Sequence, residues 1–125
     1  MEGWSLKVLS SSAVAAKPTP GGTIWLDPAS VLTHGGVAVV DADWVYLNKP
    51  KNEGYSTVLT CFQDGQKVVW HGGPFTPPWG VPLPHSYPLV HPSWDVTQSV
   101  SCSARLQYFD RRQARVLDEV FFVVT

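Results

Sequence analysis

Charge is what this sequence has least of. Asp, Glu, Lys and Arg make up 15% of the 125 residues, against about 25% in an average soluble domain. The formal net charge is −1. The densest basic stretch is Arg111, Arg112 and Arg115. That is too small for the wide positive patch that phosphate-backbone binding needs, so nucleic acid is excluded as a partner. Long apolar runs are missing too. The longest is Val120 to Val124, far below the roughly 20 residues of a membrane-spanning helix, and no membrane insertion is expected. No segment sustains a helical period, which excludes a helical bundle. A Gly-x-Ser-x-Gly elbow is also absent, so His71-Gly72-Gly73 does not read as part of a lipase-like oxyanion hole.

What remains is a polar but weakly ionised chain of one-domain length, with 44% hydrophobic residues, enough to bury a core. Ala13 to Ala16 resembles a small-residue cleavage site, but Glu2 offsets Lys7 and Ser10 to Ser12 interrupts the apolar stretch. The pattern fails as a secretion signal, and Met1 reads as the start of the working chain.

Strand signals are plentiful. From Val96 to Tyr108 the even positions Val96, Val100, Cys102, Ala104, Leu106 and Tyr108 are apolar and the odd ones polar. Only Gln98 breaks the period of two, so the pattern predicts a half-buried strand. Val37 to Leu47 alternates more loosely, with Ala38, Val40, Ala42, Trp44 and Tyr46 on one face and Asp41 and Asp43 on the other. Tyr55 to Gln63 and Gln66 to Trp70 are two β-rich runs joined by Asp64-Gly65, the strongest short hairpin signal because both positions tolerate positive φ. Ala114 to Val124 places Val116, Val120, Phe122 and Val124 on one face, interrupted by Asp118. A buried acid there needs a partner, and Arg105 across the hairpin is the expected one. Trp4 to Leu9 and Thr23 to Leu26 are weaker strands.

Proline and glycine divide the chain. Ala15 to Gly22 reads as a linker, setting an N-terminal arm and linker, 1–22, apart from a β-sandwich domain, 23–125. Gly72 to Pro92 carries proline at 74, 77, 78, 82, 84, 88 and 92. Proline offers no ladder donor, so a central strand is excluded and a long extended loop is predicted. Short strands between Gly and Pro turns predict an all-β sandwich or barrel.

Cys61 lies in Ser-Thr-Val-Leu-Thr-Cys, Cys102 in Val-Ser-Cys-Ser-Ala, and Trp70 follows Cys61. This arrangement resembles the Cys…Trp…Cys pattern of immunoglobulin-like antiparallel β-sandwich domains. The segment from Val100 through Phe109-Asp110 to Val124 resembles the closing hairpin of hyalin-repeat and fibronectin-like modules. The resemblance covers roughly residues 55 to 125. Trp70 stands closer to Cys61 than the usual core tryptophan does, and Val100 occupies the place of the tyrosine-corner residue. The resemblance implies a Cys61–Cys102 disulfide joining two opposing sheets and, with it, an oxidising compartment. Two reduced, buried cysteines acting as small core residues are the alternative.

The proline loop concentrates aromatics. Trp70, Phe75, Trp79, Tyr87 and Trp94 crowd into a short stretch. Such rings stack on sugars and prolines and dominate interface hot spots, which makes these five the candidate binding residues. Trp79, between Pro78 and Gly80, is the best candidate for an exposed contact. The alternative is a satellite cluster folded under the loop. His34, His71, His85 and His91 lack the i, i+4 spacing of a helical metal site and have no neighbouring cysteine, so no metal or cofactor is expected. Asp41 and Asp43, about 6.5–7 Å apart along one strand face, read as a solvated pair. Asp95, Asp118 and Glu119 have no nucleophile or base beside them.

These features predict a non-enzymatic structural or adhesion module that packs against other protein subunits in a larger assembly, such as a phage virion decoration or tail component or a cell-surface protein. A carbohydrate-binding module using the loop aromatics, with a glycan as partner, is the alternative.

Overall fold

A computed structural model describes residues 20–45, 54–72, 83–109 and 114–125. Seven strands lie within them: β1 (Gly22–Leu26), β2 (Val37–Trp44), β3 (Gly54–Gln63), β4 (Gln66–Gly72), β5 (His85–Pro88), β6 (Val100–Phe109) and β7 (Ala114–Val124). They form two antiparallel sheets, one of three strands in the order β1-β2-β5 and one of four in the order β4-β3-β6-β7. No helix occurs among the described residues. The Trp4 to Leu9 strand expected from the sequence, and the rest of residues 1–19, lie outside the described residues.

The two sheets share one core. Ile24, Ala38, Val40, Ala42 and Tyr87 of the smaller sheet pack with Leu59, Cys61, Val100, Cys102, Ala104, Leu106, Phe122 and Val124 of the larger. The period-two alternation of β2 and β6 produces this directly: each second residue turns inward, and burial of its apolar surface stabilises the fold by about 25 cal/mol per Å². The β3–β4 hairpin forms at Asp64-Gly65, both with positive φ, 50° and 78°, as a two-residue hairpin turn requires.

Sheet edges are joined at one side. The Ile24 N–H of β1 donates to Asp118 Oδ2 of β7 at 2.8 Å. Past the end of β7, the Thr125 N–H donates to the Leu32 carbonyl and the Thr125 carbonyl accepts from the His34 N–H. The partner expected for Asp118 was Arg105, and the register corrects this. Arg105 pairs with Glu119 and Leu106 with Asp118, so Arg105 and Asp118 point to opposite faces of the sheet. Arg105 donates instead to Thr60 Oγ1 at 3.3 Å.

Three further expectations are corrected. The strand expected from Val96 begins at Val100. Asp95 Oδ1 accepts from both the N–H and the hydroxyl of Thr97, and this local turn wins over the alternating pattern and leaves Val96 exposed. The loop expected from Gly72 to Pro92 contains β5, which runs on the edge of its sheet with Pro88 as its last residue, a position where the missing donor is tolerated. Val116 does not share the inner face with Val120. The ladder shifts register at Leu106/Gln107, and one extra residue in a strand turns the following side chains to the other face.

The disulfide Cys61–Cys102 is formed, but not between opposing sheets. Cys61 and Cys102 are direct partners on neighbouring strands β3 and β6, with Cα atoms 4.1 Å apart. The bridge cross-links one sheet, and its sulfurs face the second sheet through the shared core.

Tyr87 ties β5 to the opposite sheet. Its hydroxyl lies 2.6 Å from Thr57 Oγ1, which in turn donates to the Gly72 carbonyl at 3.1 Å. Burial raises the Tyr87 pKa, and the Thr57 hydrogen bond acts in the other direction. Gly72 leaves the room for this hydroxyl: a Cβ there would overlap Tyr87 Oη and reach 3.0 Å from Thr57 Oγ1. Gly72→Ala is therefore expected to lower the unfolding free energy by about 1–3 kcal/mol through overpacking. Most of that loss should disappear on a Tyr87→Phe background, measured by urea unfolding of the four proteins of the cycle.

Candidate functional site

The aromatics singled out in the sequence separate into two groups. Trp94 is 7% exposed and Tyr87 2%, both members of the central core. Trp70 is half-buried against that core. Trp70 and Trp94 meet edge to face at 5.6 Å, with His91 at 6.2 and 6.1 Å from them and His34 5.9 Å from Trp94. Trp94 and Tyr87 belong to the main core itself, not to a separate cluster under the loop, and neither is exposed. Phe75 and Trp79 lie outside the described residues.

The other candidates have local structural partners. His34 Nε2 is 2.7 Å from the Gln98 carbonyl, and His91 Nδ1 accepts from the Ser93 N–H at 3.1 Å. His85 meets Tyr87 edge to face at 4.6 Å. Asp43 Oδ1 accepts from Thr23 Oγ1 at 2.7 Å, and Asp41 Oδ1 from the Ala42 N–H at 2.9 Å. The Thr97 hydroxyl and N–H hold the Asp95 carboxyl below its ordinary pKa. Among the described residues no group of three or more His, Cys, Asp or Glu could hold a metal ion.

The surface that stands out is elsewhere, on the outer face of the four-stranded sheet. The pairing registers arrange it in three rows running from β4 to β7. The first is Lys67, Phe62, Ser101, Val123; the second Val69, Thr60, Ser103, Phe121; the third His71, Val58, Arg105, Glu119. Phe121 is 73% exposed, Val123 49%, Phe62 47% and Val69 37%. Phe62 and Phe121 stand on either side of β6, about 12 Å apart from Cα to Cα given ordinary strand spacing and rise. Between them lies a groove of about 180 Å³, lined also by Ser101, Cys102 and Ser103. The serines are the reason for the groove: their small side chains leave a trough between two phenylalanines. No family model, curated protein or solved structure matches the chain. The outer face must therefore be interpreted from its own chemistry.

The exposed part of this face is apolar at Phe62, Val69, Phe121 and Val123 and charged at Lys67 and Glu119, whereas Val58, Thr60 and Ser103 are buried within it and Arg105 is half-buried with its Nε enclosed. A contiguous apolar patch bounded by polar groups marks an interaction site more often than a chance exposure. The sequence assigns Val120, Phe122 and Val124 to one face of the last strand, and the exposed side of Phe121 and Val123 was not inferred from it. The signal was present: on an antiparallel strand a five-residue apolar run turns two or three side chains away from the core.

Proposed function

We propose that the protein is a non-catalytic module of structural or adhesion type, which joins other protein subunits through the outer face of its four-stranded sheet. The observation that carries this reading is the pair Phe62 and Phe121, both exposed on one face and flanking a groove floored by small residues. A sheet face that met only water would carry polar side chains in these rows. Packing Phe121 and Val123 against a partner would remove most of their remaining apolar surface from water.

We further infer that the sandwich is immunoglobulin-like. The order β1-β2-β5 facing β4-β3-β6-β7 supports this, since it corresponds to strands A, B, E and C′, C, F, G of that fold. The bridge then joins strands C and F, in place of the usual B and F. A disulfide between cysteines that are both core residues supports an oxidising location, a virion or the cell surface, as the place of action.

Photo-cross-linking tests the module reading. Val123, exposed at the β7 end of the first row, is replaced by benzoylphenylalanine and the full chain is irradiated in the cells or particles that make it. The same replacement at Ser86, exposed on the three-stranded sheet, is the control. Defined protein adducts from position 123 and none from position 86 are expected. Equal labelling from the two positions, or none from 123, sinks the reading. Adducts to glycan alone would replace it with the carbohydrate-binding alternative.

A further inference from the structure

The geometry points to a second copy of this chain as the partner of the outer face, in a two-fold dimer that packs sheet on sheet. This rests on the module reading above and names its partner.

The argument begins with the symmetry of the rows. A two-fold axis can lie in the interface, across the floor between Ser101 and Ser103, perpendicular to the line joining Phe62 and Phe121. Rotation about it sets Phe62 of each copy against Phe121 of the other. Each aromatic pair then closes one side of the serine-floored groove. Val123 falls beside the axis, so the two copies of this residue meet. The strands of the two sheets cross at roughly 70°, toward the orthogonal class of sheet packing.

The same operation decides where the rim charges go. Lys67 is beside Phe62 in the first row, and Glu119 is next to Phe121 on the outer face of β7. With ordinary strand spacing and rise, Lys67 of one copy is carried to within about 3 Å, in projection, of Glu119 of the other. The pairing occurs twice by symmetry. Arg105, whose guanidinium donates to Thr60 Oγ1 of its own chain, is carried onto Val69, where its aliphatic stem covers apolar surface. No like charges are brought together among Lys67, Arg105 and Glu119. The aromatic match follows from the choice of axis, but the meeting of Lys67 with Glu119 does not, and such self-complementarity is what an isologous interface requires.

Area sets the strength. Four strands about 4.8 Å apart and three rows about 6.8 Å apart cover roughly 400 Å² in projection. Counted on both partners that is about 800 Å², below the roughly 1,200 Å² of a standard interface, so the dimer is weak and transient. Such an affinity is filled at the high local concentration of an assembly and is mostly empty in dilute solution.

Sedimentation equilibrium of the full chain from about 1 to 300 µM tests this, with near-UV circular dichroism checking that each variant keeps the native fold. The wild type is expected to pass from monomer to dimer. Phe121→Ser should leave a monomer throughout. Glu119→Lys should weaken association about tenfold, because two attractions become repulsions, and Lys67→Glu combined with Glu119→Lys should restore it to within about threefold. A wild type that stays monomeric at 300 µM overturns the proposal, as does a Phe121→Ser dimer or a charge swap that fails to recover. The two readings fail separately: adducts from position 123 to a different protein, with a monomer in the centrifuge, end self-association and leave the module reading in place. The absence of both adducts and dimer ends both.

Discussion

Trp94→Ala is expected to lower the unfolding free energy by about 3–5 kcal/mol, the range for removing a large buried aromatic from a core. Trp94 is 7% exposed and packs against Trp70, His34 and His91, so truncation opens a cavity that these rings cannot fill without moving. The segment that carries it is held rigidly. Gln63 Nε2 donates to the Asp95 carbonyl at 2.8 Å, and Gln63 Oε1 accepts from the Asp95 N–H at 2.7 Å. This two-bond clip fixes the chain directly after Trp94, which limits collapse into the cavity and places the effect toward the upper part of the range. Urea unfolding with a constant m-value measures it. Self-association of the folded variant should match the wild type, because Trp94 lies in the core and the dimer face is on the other side of the larger sheet. A loss below about 1 kcal/mol would show that the ring is not a core residue, and would return it to the list of surface contacts.

The same residue shows what the sequence could and could not say. Alternation placed β2 and β6 because a period of two on a half-buried strand depends only on neighbouring residues, and β-rich composition placed β3 and β4. Asp64-Gly65 placed the hairpin because its backbone requirement is local. The aromatics after Gly72 gave no such information. A tryptophan beside proline can turn inward or outward, and which it does depends on strands far away in sequence: Tyr87 turns inward because Thr57 and Gly72 receive its hydroxyl. The outer-face pair was obscured for a related reason. Phe62 and Phe121 belong to strands separated in sequence, and they become neighbours across β6 only once the β3-β6-β7 order is known. The bulge at Leu106/Gln107 has no marker in residue type, and it alone decides that Val116 faces outward.

Loss of the disulfide carries the other large effect, and its placement determines how the loss should appear. Cys61 and Cys102 are 41 residues apart in sequence. In the chain-entropy description, opening a loop of this length costs about 3–4 kcal/mol of stability, because the unfolded chain regains the freedom that the bridge removed. For a domain of this size that is a fall of roughly 12–20 °C in Tm. The native ladder, however, does not depend on the bridge. Cys61 and Cys102 sit opposite each other within nine consecutive register pairs between β3 and β6, and the Leu59–Ala104 pair beside them is fully part of the core. Cys61→Ala with Cys102→Ala should therefore remain folded at 25 °C, keep the near-UV spectrum and the dimer, and unfold at a lower midpoint with a larger m-value, since the unbridged denatured chain exposes more surface. Two results would contradict this. A double variant already unfolded in water would mean that the bridge, and not the shared core, holds the two sheets together. A midpoint unchanged by the loss of both sulfurs would mean that the bridge places no constraint on the unfolded chain.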